Sequence, residues 1–234
     1  MSLAEAHALV DPIDAAAIRL DAVVAGYGRA PPTLTEVTLS LSPGATAIVY
    51  GGAGAGKTTL LHVLRTALLQ RSGRVLLLGS DARTLPPRVR WALKRRIGYV
   101  AQSPRLFEDM SAFENVAAPF RLMAPQSDPR VGADVGELLQ YLGIFQIADH
   151  AARTLSESQR RLVAIARAVV GRPDILLADE PLAGLGPDAM ARVLRLFSEL
   201  ARQRATVAVA TQTPETFAAL AASRLYLERG RVVG

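Results

Sequence analysis

A glycine-rich loop between an apolar segment and a helical segment carries the clearest chemistry in the sequence. Residues 51–58 read GGAGAGKT and fit the pattern G-x-x-x-x-G-K-[ST], whose backbone N–H groups turn toward β- and γ-phosphate oxygens. Lys57 adds a compact positive charge, and the hydroxyl of Thr58 is placed to bind Mg²⁺. The predicted phosphate-binding residues are Gly51, Gly52, Ala53, Gly54, Ala55, Gly56, Lys57, Thr58 and Thr59.

Two acidic residues follow a second apolar segment and complete the chemistry that a phosphate loop needs. The run from Ile175 to Ala178 is entirely apolar, and Asp179 and Glu180 come directly after it. Adjacent side chains on a strand point to opposite sides, so the two carboxylates can take different tasks. We assign Asp179 to Mg²⁺ and Glu180 to the polarisation of an attacking water molecule. The alternative is a strand end that is acidic by chance.

Hydrophobic periodicity predicts the elements that position these residues. Apolar and polar residues alternate over 18–24 and 37–41, which predicts two half-buried strands of antiparallel type. Short apolar strands then alternate with helical segments, which indicates an α/β fold with a parallel sheet covered on both faces. These strands are predicted at 45–50, 74–78, 97–100, 175–178, 206–210 and 224–228, with helices that include 59–69 and 88–96. The stretch from about 107 to 171 has helical patterns only and predicts an inserted helical subdomain.

Length and composition exclude several classes of protein. The chain has 234 residues, 50% of them apolar, which suffices for one large core. It contains no cysteine, which excludes disulfide bonds and thiolate metal sites, and its three histidines are scattered. No apolar run approaches the roughly 20 residues of a membrane-spanning helix. We expect residues 1–16, which are Ala-rich and aperiodic, to form a flexible extension and residues 17–234 to form one domain.

The net charge of +6 is concentrated in one stretch of the chain. Seven basic residues and no acidic residue lie from Arg83 to Arg105. This basic stretch fits either an anionic membrane surface or a solvated arginine-rich helix face. It lacks a series of interleaved aromatic residues, so we expect no nucleic-acid partner.

Four motifs in this order and spacing resemble the nucleotide-binding subunit of ABC transporters. They are the phosphate loop, the sequence YVAQ that ends at Gln102, the sequence LS ahead of AIARAVVGRP, and the sequence LLADEP around Asp179. The resemblance covers about residues 17–233. It implies a P-loop NTPase core of the RecA-like type, with an N-terminal antiparallel β-subdomain and an inserted helical subdomain, and it implies ATP and Mg²⁺ as cofactors.

The resemblance also implies roles for residues outside the phosphate loop. Tyr27 would stack on the adenine ring, and Gln102 would reach Mg²⁺ and sense the γ-phosphate. Proteins of this family form a head-to-tail homodimer in which each ATP lies between the phosphate loop of one subunit and an LSGGQ-type helix N-terminus of the other. Ser156 would therefore contact the ATP of a second copy. The segment from about Ser103 to Phe120 would receive a helix from a membrane partner.

Three elements of this composite ATP site depart from the family pattern. The family's LSGGEQQR becomes LSESQRRL at residues 155–162, so Glu157 and Ser158 replace both glycines. Gly186 stands where an aspartate is expected, and Gln212 stands at the position of a catalytic switch histidine. Glu157 adds negative charge near the triphosphate, and Gln212 can form hydrogen bonds but cannot carry the proton of a histidine. We therefore expect tight Mg-ATP binding with slow or partner-dependent hydrolysis.

The longer segments RRIGYVAQSPRLFEDMSAFENVAAPFRL and AIARAVVGRPDILLADEP are most similar to the FtsE group of cell-division ATPases. That group pairs with the integral membrane protein FtsX, so the resemblance implies an FtsX-like partner and a peripheral place at the cytoplasmic face of the inner membrane. ATPases of the lipoprotein-release and macrolide-export types remain alternatives. A division scaffold that binds ATP without hydrolysing it is a further alternative.

Overall fold

A computed structural model describes residues 16–121 and 129–233. The predicted flexible extension lies outside these ranges except for its last residue. The strands are β1 Ile18–Ala25, β2 Leu34–Leu41, β3 Thr46–Tyr50, β4 Ser72–Leu77, β5 Ser80–Asp81, β6 Ile97–Val100, β7 Ile175–Asp179, β8 Thr206–Thr211, β9 Ser223–Glu228 and β10 Arg231–Val233. The α-helices are α1 Lys57–Leu64, α2 Pro87–Arg95, α3 Ala112–Arg121, α4 Pro129–Tyr141, α5 Glu157–Val169 and α6 Pro187–Arg202.

The strands form two sheets with different pairing. Four strands in the order β2-β1-β4-β5 make an antiparallel sheet, and six strands in the order β10-β9-β3-β8-β7-β6 make the second. In the second sheet every pair is parallel except β9 with β10. The antiparallel strands at the start of the chain and the parallel core are thus as the sequence predicts. β4 is an exception, because it pairs with β1 instead of joining the parallel core.

The parallel sheet is buried on both faces. Leu176 of β7 packs into a cluster with Phe197 of α6, while the next residue, Leu177, packs into a cluster with Leu60 of α1 and the antiparallel sheet. Alternate residues of a strand therefore face opposite halves of the core. Asp179 continues the face of Leu177, which directs it toward α1.

The predicted helix over 59–69 is shorter in the structure. It ends at Leu64, and Thr66 adopts a left-handed backbone conformation with φ 56°. This conformation is unfavourable for a residue with a Cβ and cannot continue a right-handed helix. The apolar residues beyond it belong to the connection into β4.

A buried asparagine shapes the segment that follows Gln102. The side chain of Asn115 accepts a hydrogen bond from the backbone N–H of Phe107 and donates to the carbonyls of Phe107, Met110 and Ser111. Polar groups that are buried must find such partners to offset their desolvation. Asn115 thereby holds residues 107–111 on the first turn of α3.

The helices were also compared with the length and hydropathy of a membrane span. Among the described residues, none of them meets both requirements.

The turn between β9 and β10 holds the phosphate loop against the antiparallel sheet. The N–H of Gly230 donates to the carbonyl of Ala55 at 3.0 Å, and its carbonyl accepts from the N–H of Thr35 at 2.8 Å. Gly230 has φ +77°, and an added Cβ would lie 2.0 Å from the carbonyl oxygen of Thr33. Only glycine therefore fits this junction.

Replacing this glycine should destabilise the protein and loosen the loop. We expect Gly230→Ala to lower the free energy of unfolding by about 3 kcal/mol, because it adds backbone strain and a steric clash. The matched control is Gly132→Ala in α4, where an added Cβ meets nothing within 4 Å. That control should gain about 0.5–1 kcal/mol. Urea denaturation gives both values, and equal stabilities for the two variants would contradict this account of the turn.

Candidate nucleotide site

The phosphate loop joins the end of β3 to the start of α1. Residues 52–54 form an exposed tip, and Ala55, Gly56 and Lys57 are buried. Gly56 has φ +106°, and an added Cβ would lie 2.9 Å from Leu34, so the glycine is required at this packed turn. In the part of the chain that the structure describes, no side chain caps the start of α1. Its first N–H groups therefore remain available for an anion.

Lys57 is a buried cation that is held by backbone carbonyls. Its Nζ donates hydrogen bonds to the carbonyls of Gly51 at 2.7 Å and Gly52 at 2.9 Å. Among the described residues, no acidic side chain forms an ion pair with it. A buried charge of this kind favours an anionic ligand. The side chain of Thr59 is also buried, so this residue would contribute its backbone N–H.

Thr58 and Asp179 place two hard oxygen atoms side by side. The hydroxyl of Thr58 donates to Oδ2 of Asp179 at 2.7 Å, and Asp179 is buried at the end of β7. Burial raises the pKa of Asp179, whereas the hydrogen bond from Thr58 and the nearby His62 and Lys57 act in the opposite direction. A hydroxyl and a carboxylate that also adjoin bound phosphates are a suitable donor set for Mg²⁺. The residues present therefore fit this metal ion.

Glu180 points away from Asp179 and toward the end of β8. Its Oε2 accepts from the hydroxyl of Thr211 at 2.9 Å, and its Oε1 accepts from the backbone N–H of Gln212 at 2.7 Å. The backbone of Glu180 adopts a left-handed conformation, with φ 46°. Thr211 was not predicted from the sequence, although it stands directly before Gln212 at the end of a strand. The structure brings Glu180, Gln102, Thr211 and Gln212 together around a cavity of about 450 Å³.

Tyr27, the predicted adenine-stacking residue, is 49% exposed and is held by a histidine. Its hydroxyl lies 2.7 Å from Nδ1 of His62, and Nε2 of the same ring lies 3.4 Å from the hydroxyl of Tyr99. Burial lowers the pKa of His62, which favours the neutral ring that can accept a hydrogen bond. His62 was not predicted from the sequence, because its two tyrosine partners lie on other elements.

Ser156 caps α5 and has no described contact with the phosphate loop. Its hydroxyl accepts from the N–H of Gln159 at 3.3 Å, and Oε1 of Gln159 accepts from the N–H of Ser156 at 2.9 Å. This reciprocal pair is a capping box that fixes the helix N-terminus. Ser156 and Glu157 are both exposed at this helix end.

Comparison with known proteins identifies the family. The sequence profile described as ABC transporter matches residues 34–183. The chain belongs to the ABC transporter ATP-binding family. Its fold class is that of an ABC ATPase, as predicted.

Individual relatives of this ABC ATPase support the same assignment. The lipoprotein-releasing system ATP-binding protein LolD of Bordetella pertussis is 35% identical over 201 residues, which cover 85% of this chain and 86% of that protein. The molybdate/tungstate import ATP-binding protein WtpC of Thermococcus kodakarensis is 39% identical over 172 residues, which cover 73% of this chain and 49% of that protein. The dimeric structure of MJ0796, a bacterial ABC transporter cassette, matches with a TM-score of 0.85 at 27% identity, covering 93% of this chain and 97% of that one. Both relatives are named as ATP-binding proteins, one of a lipoprotein-releasing system and the other of molybdate or tungstate import.

Asp179→Asn should stabilise the nucleotide-free protein and remove the Mg²⁺ dependence of ATP binding. Because folding raises the pKa of Asp179, its ionised form opposes folding at every pH above the folded-state pKa. Asparagine removes the charge and can still accept from Thr58. Thermal unfolding should show a higher melting temperature for the variant at about pH 7, and this advantage should shrink as the pH falls toward the raised pKa.

Asp174→Asn is the matched control for this substitution. Asp174 forms a partly exposed ion pair with Arg96 at 2.8 Å. Its loss should cost at most about 1 kcal/mol and should leave the Mg²⁺ dependence unchanged. Equal behaviour of the two variants would contradict the distinct environment of Asp179.

Proposed function

We propose that the protein is the ATP-binding subunit of an ABC complex, binds Mg-ATP, dimerises head to tail on it and hydrolyses it slowly unless a membrane partner is engaged. One observation carries this proposal, namely the contrast between the two halves of the composite site. The half around the phosphate loop keeps Lys57, Thr58, Asp179 and Glu180 and has Gln212 in place of a histidine. The half that would act on the ATP of a second copy has lost its usual residues.

The phosphate-loop half has a distinct task for each side chain. Lys57 would exchange its two carbonyl contacts for phosphate oxygens, and the Thr58 and Asp179 oxygens would hold Mg²⁺, which neutralises phosphate charge when bound. Glu180 is held by two donors at the edge of the cavity that it shares with Gln102. Its carboxylate is thereby oriented to polarise a water molecule in that cavity.

The altered residues keep positioning contacts but lose chemistry, and they lie on both sides of the composite site, because Gln212 shares the cavity of Glu180 whereas Glu157 lies at the exposed start of α5. Gln212 retains the backbone N–H that holds Glu180, but its amide side chain cannot take or give a proton. Glu157 presents an exposed carboxylate at the N-terminus of α5, where a glycine would let the backbone approach a phosphate. These changes favour binding and positioning over fast turnover.

A groove beside the Gln102 loop supports docking of a membrane partner. Its volume is about 620 Å³, and its walls come from α2, β6, the segment after Gln102, α3 and α5. Trp91 and Phe107 line it with exposed rings, 52% and 54% accessible. Arg105 and Arg167 also line it, and burial lowers the pKa of Arg167. An amphipathic partner helix with acidic residues would suit this surface.

For the identity of the partner, we propose an FtsX-like membrane protein and a role in cell division. The similarity of residues 95–122 and 164–181 to the FtsE group supports this choice. The 35% identity with LolD favours a second candidate, an ATPase of the lipoprotein-release type. Cross-linking from the groove in native membranes, followed by mass spectrometry, tests the choice. An FtsX-like protein supports the division role, and lipoprotein-release subunits would refute it.

Restoring the altered residues should raise ATP turnover. We expect Gln212→His with Gly186→Asp to increase the turnover of the isolated subunit by about tenfold or more, because a histidine can carry the proton and charge that glutamine cannot. The affinity for Mg-ATP should stay the same. The same pair of substitutions with Glu180→Gln should give no gain. Wild-type turnover that already matches other family members without any partner would refute the proposal of slow hydrolysis.

Charge reversal in the groove should weaken partner binding selectively. We expect Arg95→Glu with Arg105→Glu to lower recovery of the membrane partner about tenfold in co-purification at low salt. Mg-ATP affinity should not change. Arg88→Glu is the control, since Arg88 lies on the same helix but does not line the groove. If Arg88→Glu lowers recovery equally, general surface charge and not the groove is responsible.

A further inference from the structure

Arg161 is a buried arginine that touches both segments of the proposed hydrolytic site. It lies in the second turn of α5, and its side chain is only 4% exposed. Its Nη1 donates to the carbonyl of Gln102 at 3.0 Å and to the carbonyl of Glu180 at 3.1 Å. One guanidinium nitrogen thus joins the loop that carries Gln102 to the end of β7.

These contacts fix the backbone of two residues whose side chains face the same cavity. Gln102 is exposed in its loop, and Glu180 has a left-handed backbone with φ 46°, a conformation that persists only where its surroundings hold it. A carbonyl that is held in place also fixes the direction of the adjacent side chain. Arg161 can therefore set the orientation of Gln102 and Glu180 without touching a ligand.

The other end of the guanidinium reaches the surface through Glu157. Nη2 of Arg161 lies 3.5 Å from Oε1 of Glu157, one helical turn earlier, and the Glu157 side chain is 80% exposed. Nε of Arg161 has no hydrogen-bond partner in the part of the chain that the structure describes. Glu157 is the acidic side chain paired with this buried cation within those ranges. The exposed carboxylate of Glu157 is therefore in direct contact with the buried guanidinium of Arg161.

Both residues are departures of this chain from the family pattern. In the alignment of LSGGEQQR with LSESQRRL, Glu157 stands for a glycine and Arg161 for a glutamine. A glycine and a glutamine could not form this ion pair. The connection therefore depends on both substitutions together.

We propose that Arg161 is a positioning residue for Gln102 and Glu180, and that Glu157 helps to hold its guanidinium in place. The assignment of Gln102 and Glu180 to hydrolysis rests on the proposed function. Nη1 of Arg161 bonds to both carbonyls while Nη2 faces the carboxylate of Glu157, so the three contacts exist together. Glu157 thereby favours the guanidinium in the position from which it holds the two carbonyls.

Hydrogen exchange on the nucleotide-free full chain tests whether Arg161 holds the backbone of Gln102 and Glu180, independently of any activity. We expect Arg161→Gln to raise amide exchange at least tenfold in residues 101–106 and 180–183, and Arg161→Lys to give a smaller increase. Arg153→Gln is the control, because the Arg153 side chain is exposed and pairs with Asp109 on the surface. Unchanged exchange in Arg161→Gln, or equal increases in Arg153→Gln, overturns the positioning role. Arg161→Lys keeps the test available if Arg161→Gln does not fold.

ATP turnover tests the role of Glu157. We expect Arg161→Gln to lower kcat at least tenfold with KM within twofold of wild type, and Glu157→Gln to lower kcat severalfold. In the double variant, Glu157→Gln should have no further effect, since its action passes through Arg161. Additive effects, or equal changes in kcat and KM, overturn the positioning role. A wild-type protein that does not bind Mg-ATP refutes the proposed function instead, and the exchange experiment still decides whether Arg161 holds the two carbonyls.

Discussion

The site depends on the parallel register of the central strands. Tyr50 of β3 pairs with Thr211 of β8, Asp179 of β7 pairs with Ala210, and Val100 of β6 pairs with Ala178. These pairings end the four strands at one level. The phosphate loop, the Gln102 loop, the two carboxylates and Gln212 all emerge from that single sheet edge, and a shift of one strand by one residue would separate them.

Much of this arrangement could be predicted from the sequence, because it is encoded locally. The GGAGAGKT loop specifies its own backbone shape, and the buried run before Asp179 specifies a strand end with two diverging carboxylates. What escaped prediction depends on partners far away in the chain. β4 was expected in the parallel core, yet its exposed polar first half suits the antiparallel sheet, where one face can meet solvent. Arg161 and His62 gain their roles from atoms of distant segments, which no local pattern shows.

The basic stretch illustrates the same limit. As a sequence it carries seven like charges, but the structure gives them different tasks. Arg96 forms a two-point ion pair with Asp174, and Arg90 donates to the carbonyls of Arg83 and Leu85. Arg95 stacks on Trp91 with its guanidinium 4.6 Å from the ring centroid. Of these three arginines, only Arg96 is paired with a carboxylate among the described residues, so the net charge available to a partner is smaller than the sequence count indicates.

Because Gly230 contacts the phosphate loop, that contact can form only after Gly230 has been synthesised. The loop is made about 170 residues before Gly230, whose N–H closes over Ala55. The same glycine also anchors Thr35 of the antiparallel sheet. During translation, the loop and the first sheet can therefore be locked together only after β9 and β10 have been made. Until then, the phosphate loop of a nascent chain lacks one of the contacts that hold its backbone.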